Sequence, residues 1–275
     1  MALKKINIQE CHRELIKIAT IFDQLCKSHN IPYYMLGGTM LGAIRHKGFI
    51  PWDDDMDFGI PRPYYKRFVQ VAKENLPNKY GIITNENSHA LKKSFIKIQL
   101  KGSKVIEKIY EEQNPDFYNG IAIDIFPLDG ADINSFIGKC NTKIAFILIR
   151  IQEGRFCSLS IRKGLKKVIA FIIKKLPIND HKLALLIEKY IQKVDYNSSC
   201  YIANYNGHWK EKEIITKDIF GLPTLYSFEN ILLNGVSQPD KYLKSLYEDY
   251  MKLPPLDKQL THADEIYIEE TTKDA

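Results

Sequence analysis

Hydrophobic and polar positions in the first 130 residues predict alternating helices and strands. Apolar residues recur at steps of three and four from Ile8 to Leu25, which is typical of one face of an amphipathic helix. Further helices are predicted through Met40–Ile44 and over Tyr65–Asn75. Short apolar or alternating runs predict strands at Tyr33–Leu36, the second half of Trp52–Ile60, Tyr80–Thr84, Phe95–Leu100, Val105–Ile109 and Ile121–Phe126. Interleaved elements of both kinds predict an α/β or α+β fold.

The pattern changes between Ile133 and Asp195. This segment has 13 Lys and Arg against 4 Asp and Glu, a net charge of +9 that leaves −3 for the rest of the chain. Its apolar residues alternate with cations at helical spacing, as in IRKGLKKVIAFIIKKL. Two interpretations fit the pattern equally well: a basic amphipathic surface that contacts an anionic membrane, or the solvated faces of ordinary helices.

The last 80 residues predict short strands, aromatic-rich loops and one more helix. That helix lies near Tyr242–Met251 and ends before Pro254 and Pro255, and the polar tail Asp264–Ala275 is expected to be frayed. We therefore expect three parts: a core over 1–132, a basic helical segment over 133–195 and a C-terminal lobe over 196–275 that completes a single domain.

Composition narrows the class of protein. A chain of 275 residues with 45% hydrophobic and 26% charged residues can bury a core, and a net charge of +6 is too small for a dedicated nucleic-acid binder. Five scattered cysteines without a C-x-x-C pair give no support to disulfides or zinc. The longest apolar runs have six residues and no signal sequence is visible, so we expect a cytoplasmic protein.

Three aspartates carry the candidate chemistry. Asp55 and Asp57 lie two apart on a predicted strand, so their side chains leave one face about 6.6 Å apart and can share a hard divalent cation. Asp124 lies between isoleucines, where a buried carboxylate needs a metal, a cation or a proton. Asp53 and Asp54 can equally be turn or cap residues. An EF-hand is excluded, because its sixth and twelfth positions would be Phe58 and Tyr64.

A glycine pair precedes these acids. Gly37-Gly38-Thr39 lies between a predicted strand and a helix, where backbone amides and a hydroxyl can approach a phosphate at the helix N-terminus. A tight turn without a ligand would use the same residues. Arg45, His46 and Lys47 follow on that helix and either contact the phosphate or lie exposed at its C-terminus.

The stretch LGGTMLGAIRHKGFIPWDDDMDFGIPR, with IDIFPLDG and YLKSLYEDYMKLPP downstream, closely resembles the bacterial LicD family of phosphocholine transferases, which has relatives in the fukutin group. The resemblance implies a nucleotidyltransferase-like fold, with a small mixed sheet and flanking helices. By position, Asp55 and Asp57 match the paired metal ligands, and Asp124 is the expected third carboxylate. One departure is Glu248, which replaces a glycine common in the family. Another is the spacing of sixteen residues between Gly38 and Asp55, longer than in most nucleotidyltransferases.

The resemblance implies transfer of phosphocholine from CDP-choline to a sugar hydroxyl of a surface glycan, such as lipopolysaccharide, teichoic acid or capsule, with release of CMP. Mg²⁺ or Mn²⁺ would be held by Asp55, Asp57 and Asp124, with Asp124 near the attacking hydroxyl. The candidate phosphate-binding residues are Gly37, Gly38, Thr39, Arg45, His46, Lys47 and Lys97. A choline group is held by aromatic faces, and the candidates, which can equally be packing residues, are Trp52, Tyr201, Tyr205 and Trp209.

Four alternatives stay open at this point. Another CDP-alcohol, such as a ribitol or glycerol derivative, can replace CDP-choline. The same fold can move a nucleoside monophosphate to a small acceptor with release of pyrophosphate. A D-x-D glycosyltransferase is disfavoured by the glycine pair upstream of the acids. A non-enzymatic scaffold could use the basic segment on a membrane; in an enzyme, that segment would bring the active site to a lipid-linked acceptor at the inner face.

Overall fold

The computed structural model describes residues 3–85, 94–107, 120–156 and 164–270. The first half contains β1 (Leu3–Ile6), α1 (Ile8–Ser28), β2 (Tyr34–Met35), α2 (Gly37–Arg45), β3 (Asp57–Pro61), α3 (Arg62–Asn75), β4 (Tyr80–Ile83), β5 (Ile96–Leu100), β6 (Ser103–Ile106) and β7 (Ala122–Ala131). The second half contains α4 (Phe136–Phe156), α5 (Gly164–Lys175), α6 (Asp180–Ile191), β8 (Tyr201–Ala203), β9 (Ile214–Thr216), α7 (Lys217–Phe220), β10 (Thr224–Phe228), β11 (Ile231–Gly235), α8 (Pro239–Tyr247) and β12 (Glu265–Glu269), with single 3₁₀ turns at Lys210–Glu213 and Leu256–Lys258.

The main sheet is mixed, and it confirms the expected fold class. Its strand order is β2-β3-β7-β5-β4, with β8 and β9 continuing from the far end of β7. β3 and β7 run parallel, while β7 pairs antiparallel with β5. The long helix α1 begins at a capping box, in which Asn7 accepts from the Glu10 N–H and Glu10 accepts from the Asn7 N–H. Its apolar face, with Leu15, Ile18 and Phe22, is fully buried.

The described residues form two hydrophobic clusters. The larger one joins α1, α2, α3 and the main sheet to the C-terminal lobe, which contributes Phe228, Tyr242 and Leu246. The smaller one lies between α4, α6 and β8, and includes Phe146, Ile187 and Tyr205. The basic segment therefore packs mainly on its own helices, whereas the first and last parts share one core. The boundaries of the three predicted parts stay a prediction.

The prediction of a frayed tail is wrong for the described part of 264–275. Glu265–Glu269 forms β12, which pairs with both β1 and β6 and is the central strand of a three-stranded sheet. Its alternation buries Ile266, a strand signal that the polar flanks obscured. Residues 271–275 of that tail, and residues 108–109 of the strand predicted at Val105–Ile109, lie outside the described residues.

Two helix boundaries also differ from expectation. The C-terminal helix runs over Pro239–Tyr247 rather than Tyr242–Met251, with proline in its first turn. It ends at Glu248, whose φ of 59° and ψ of −106° leave the helical region. Gly37 and Gly38 do not form a separate turn but are the first two residues of α2, and Gly37 has a positive φ of 47°.

Candidate active site

The strand register brings Asp57 and Asp124 together. Asp57 on β3 lies directly opposite Asp124 on the parallel strand β7, and Lys97 on β5 lies opposite Asp124 on its other side. Residues paired in this way project from the same face of a sheet. The Lys97 Nζ atom is 2.7 Å from Oδ1 of Asp124, and both side chains are largely buried. The three strands therefore present two carboxylates and one ammonium group side by side.

The loop before β3 adds further carboxylates to this row. Burial raises the pKa of Asp57, and the nearby charges of Asp55, Asp124 and Asp53 raise it further. Burial also raises the pKa of Asp53, with an additional contribution from Asp55. We refer to Asp53, Asp55, Asp57 and Asp124 as the acid cluster. So many mutually repelling carboxylates in a partly buried site favour the binding of a cation.

Sequence analysis missed the role of Asp53, although the D-x-D-x-D alternation of Asp53, Asp55 and Asp57 is a visible signal. It also missed His262. The backbone N–H of Ala263 donates to Oδ2 of Asp54, and Nδ1 of His262 lies 3.5 Å from Asp54 Oδ1 and 3.7 Å from Asp55 Oδ2. The hydrogen bonds to Asp54 and Asp55 raise the pKa of His262. The segment before β12 thus closes over the acidic loop.

The glycine pair lies against the acid cluster. A Cβ atom on Gly38 would be 2.6 Å from Oδ2 of Asp53, and one on Gly37 would be 3.4 Å from Oδ2 of Asp57. The Gly37 N–H donates to the hydroxyl of Tyr242, and no side chain caps the N-terminus of α2. The following N–H groups at this N-terminus have no acceptor within the helix, so they suit an anion beside the acids.

Thr39 and Lys97 lie next to this site. The buried hydroxyl of Thr39 accepts a hydrogen bond from the Asp57 N–H, at 2.8 Å, and so fixes the start of β3. Burial lowers the pKa of Lys97, but the carboxylate of Asp124, with smaller contributions from Glu107 and Asp55, raises it, and the net direction is upward. Lys97 therefore carries a positive charge at the edge of the acid cluster. The phosphate contacts predicted for both residues stay predictions.

The structure does not bring Arg45, His46 and Lys47 to the acid cluster. They lie at the opposite end of α2 from Gly37, about 12 Å along the helix axis. The guanidinium group of Arg45 donates to the backbone carbonyl of Tyr250 at 2.7 Å, and thereby holds the chain after α8. The geometry gives no support to a phosphate-binding role for these three residues.

Of the four candidate aromatic residues, Trp209 is linked to the glycine pair through Tyr247. Its ring contacts Tyr247 edge-on, with centroids 5.1 Å apart, and the Tyr247 hydroxyl lies 3.8 Å from the position of a Gly37 Cβ. Tyr205 is buried in the smaller cluster and Tyr201 packs beside it. Trp52 packs against the larger core. The Trp209–Tyr247 pair therefore forms an aromatic wall near Asp57.

The donor atoms of the site suit a hard divalent cation. Carboxylate oxygens are the ligands that Mg²⁺ and Mn²⁺ prefer. Among the described residues, the group whose candidate ligand atoms all lie within 4.8 Å of one another is Asp53, Asp54 and His262, rather than the predicted Asp55, Asp57 and Asp124. Asp54 is held by His262 and Ala263, Asp55 also lies 3.7 Å from His262, and Asp124 pairs with Lys97, so a metal bound by the acid cluster would replace some of these contacts.

Comparison with known proteins agrees with this geometry. Residues 30–136, which include the glycine pair, Asp57 and Asp124, match the family described as LicD/FKTN/FKRP, nucleotidyltransferase domain. The chain is 30% identical over 270 residues to the lipopolysaccharide cholinephosphotransferase LicD of Haemophilus influenzae, covering 97% of this chain and all of that protein. The chain belongs to the LicD family. The family membership that the sequence motifs indicated is thereby confirmed, and the protein is an enzyme.

Other relatives match shorter stretches of the chain. A ribitol 5-phosphate transferase, FKRP of Homo sapiens, is 40% identical over 50 residues, which cover 18% of this chain and 10% of that protein. An uncharacterized protein of Rickettsia typhi is 40% identical over 63 residues, or 23% of this chain and 20% of that protein. Each of these two matches covers less than a quarter of this chain.

Proposed function

We propose that this enzyme transfers phosphocholine from CDP-choline to a sugar hydroxyl of a bacterial surface glycan and releases CMP. The observation that carries the proposal is the similarity along the whole chain to a lipopolysaccharide cholinephosphotransferase, with the acid cluster and glycine pair inside the matched region. Similarity to this relative favours a lipopolysaccharide sugar as the acceptor of this enzyme. The nucleotide donor is consistent with the expected cytoplasmic location.

Asp55 and Asp57 would hold Mg²⁺ or Mn²⁺, and Asp53 in the loop before β3 and Asp124 on β7 would supply further carboxylate oxygens. An ion held there would supply positive charge against the diphosphate and the leaving CMP. The N-terminus of α2 at the glycine pair would orient phosphate oxygens through the backbone N–H groups that follow Gly37. Lys97 adds positive charge on the Asp124 side, at 2.7 Å from that carboxylate.

In the proposed reaction, the acceptor hydroxyl oxygen attacks the phosphorus that carries choline. The new sugar–phosphorus ester bond forms as the bond from that phosphorus to the bridging oxygen breaks, and the bridging oxygen leaves with CMP. The hydroxyl proton goes to a carboxylate of the site, and we assign this role to Asp124. The pairing of Asp124 with Lys97 holds the carboxylate in a fixed orientation at the edge of the cluster.

The match to a ribitol 5-phosphate transferase makes a different CDP-alcohol the second candidate. Incubation with Mg²⁺, a glycan acceptor and CDP-choline, CDP-ribitol or CDP-glycerol separates the two by the donor that yields CMP. Release of pyrophosphate from a nucleoside triphosphate would instead favour nucleotidyl transfer. Release of a nucleoside diphosphate from a nucleotide sugar would favour the D-x-D glycosyltransferase. A chain that turned over none of these donors would leave the scaffold interpretation.

Asp57→Asn is the direct test of the site. We expect CMP release to fall by at least about 100-fold, because a carboxylate that faces the diphosphate site is lost. Thermal stability should hold or rise, because Asp57 is buried among like charges that the substitution relieves. Asp249→Asn, at an exposed position after α8, is the matched control and should keep normal turnover. Near-normal turnover of Asp57→Asn would contradict the proposal.

A further inference from the structure

The basic segment carries an exposed apolar surface that the proposed chemistry does not use. Twelve of the twenty-one large apolar side chains that are exposed among the described residues lie between Phe136 and Leu186. Helices that cover a core normally turn their apolar face inward and their polar face to solvent. A concentration of exposed apolar side chains of this kind marks a surface that binds something.

Helix α5 forms the centre of this surface. The exposed apolar residues of α5, together with the residue that follows it, are spaced as on a helix and are between 38% and 73% exposed: Leu165, Val168, Ile169, Phe171, Ile172 and Leu176. We call them the α5 stripe. The opposite side of α5 packs closely against its neighbours. Ala170 is buried there, and a Cβ atom on Gly154 of α4 would lie 3.3 Å from the Ile173 side chain. Within the described residues, α5 therefore packs through small contacts and turns its wider apolar side outward.

The C-terminal end of α5 is held firmly by one side chain of α4. The guanidinium group of Arg155 donates to the backbone carbonyls of Ile173, Leu176 and Ile178, at 3.0–3.1 Å, and forms an ion pair with Asp180 of α6. These bonds give carbonyl groups at and just after the helix C-terminus a charged side-chain donor, where the regular intrahelical bonds end. The α5 stripe is thus presented on a fixed helix.

Cations accompany the stripe. Lys167 and Lys175 are exposed on α5, and the Lys175 ammonium group lies 5.7 Å from the centre of the Phe171 ring. The 133–195 segment as a whole has a net charge of +9. Two copies of the chain that met through this face would bring two such segments together, so charge disfavours a second copy as the occupant. An anionic surface with an apolar layer beneath it matches both properties.

The length of α5 decides how it would meet such a surface. Twelve residues extend about 18 Å, less than the roughly 30 Å of a bilayer's hydrocarbon core. Among the described residues, no helix is long and apolar enough to cross a membrane. An amphipathic helix of this kind lies in the plane of the interface, with its apolar side among the acyl chains and its cations at the headgroups.

We propose that α5, with the basic segment around it, binds the surface of membranes that contain anionic lipids. The α5 stripe enters the boundary between headgroups and acyl chains, and Lys167 and Lys175 contact anionic headgroups. This binding is independent of the donor and acceptor of the reaction, and it can be measured without turnover.

Cosedimentation of the full chain with vesicles tests the proposal. The chain should bind vesicles of phosphatidylglycerol and phosphatidylcholine, bind pure phosphatidylcholine at least about tenfold more weakly, and lose binding as NaCl rises to 0.5 M. Val168→Asp with Ile172→Asp should lower partitioning at least about tenfold by removing apolar contact. Lys167→Glu with Lys175→Glu should do so by reversing charge, since each basic residue near an anionic surface changes partitioning on the order of fivefold.

Matched controls lie elsewhere on the surface. Leu222→Asp with Leu225→Asp changes two other exposed leucines, and Lys66→Glu with Arg67→Glu reverses two exposed cations of α3. Both pairs should bind vesicles within about twofold of the unchanged chain. Far-ultraviolet circular dichroism and the thermal midpoint verify that each variant folds, which is expected because every altered side chain is exposed.

Three results would overturn the proposal. One is a failure of the unchanged chain to bind anionic vesicles, and another is binding that the α5 variants and the control variants alter equally. The third is a dimer, seen by light scattering, that the Val168→Asp, Ile172→Asp variant dissociates while vesicle binding is absent. That result would assign the α5 stripe to a second copy of the chain.

Discussion

Replacing Gly38 with alanine tests how closely the glycine pair and the acid cluster depend on each other. The substitution adds one methyl group and changes no charge. The new Cβ would lie 2.6 Å from Oδ2 of Asp53, while an ordinary contact begins near 3.4 Å. The Asp53 carboxylate, which is close to Asp55, would therefore have to move by about 0.8 Å. Gly38 is not among the residues with a positive φ, so its backbone accepts alanine.

The expected effect falls on turnover rather than on stability. A displacement near 1 Å in a catalytic arrangement lowers rates by about 100-fold, and we expect a loss of that size in CMP release. Alanine favours a helix over glycine by roughly 1 kcal/mol, which offsets strain from the moved carboxylate. The thermal midpoint should therefore stay within a few degrees of the unchanged chain. Turnover and thermal unfolding are measured on the same preparation.

Gly81→Ala is the matched control. A Cβ on Gly81 would meet only the end of the flexible Lys101 side chain, at 3.4 Å, on β4 of the same sheet. This variant should keep turnover within about twofold. If Gly38→Ala also kept near-normal turnover, the position of Asp53 would not matter to the reaction, and the assignment of Asp53 to the acid cluster would be refuted.

Glu248→Gly should raise the free energy of unfolding, measured by urea denaturation, by about 1 kcal/mol, because the φ of 59° and ψ of −106° at this position suit glycine alone. Glu248→Gln removes only the charge that faces Lys212 and should change that free energy by less than about 0.5 kcal/mol. Burial raises the pKa of Glu213 to about 7 from 4.5, so the folded state holds this proton more tightly and stability should fall as pH rises between these values. Glu213→Gln should flatten that fall in thermal melts at a series of pH values; an unchanged pH profile would contradict the assignment. Trp209→Ala should raise KM for CDP-choline about tenfold while inhibition by CMP stays unchanged, if the indole ring contacts choline; equal weakening of both would exclude a headgroup role.

The local part of the candidate site could be predicted from sequence. The alternating acids Asp55 and Asp57 signal a site, but the strand predicted to carry both begins only at Asp57, and Asp55 lies in the loop before β3. Gly37 and Gly38 signal a close approach of the backbone, although the structure makes them the first residues of a helix rather than a turn. Asp124 stood out because it is a carboxylate in an apolar run.

Contacts between distant parts of the chain could not be predicted in this way. Tyr242 reaches Gly37 across 205 positions and Ala263 reaches Asp54 across 209, and neither leaves a periodic signal in the sequence. The strand that contains Ile266 has a weak alternation of its own, but the partners that hold it in place, β1 and β6, lie far away in sequence. Local patterns report which face a residue occupies, but not what covers that face.

The meeting of Asp57 with Asp124 depends on a register that a third glycine fixes. Gly59 pairs with Phe126, and a Cβ there would lie 2.8 Å from Leu36 and 2.9 Å from Leu128. These leucines occupy the space that a side chain on Gly59 would need, on the face that carries the two aspartates. A slip of β3 by one residue would send Asp57 to the opposite face and force a larger side chain against the leucines. The same tight apolar packing that completes the core therefore holds the carboxylates in line at its edge.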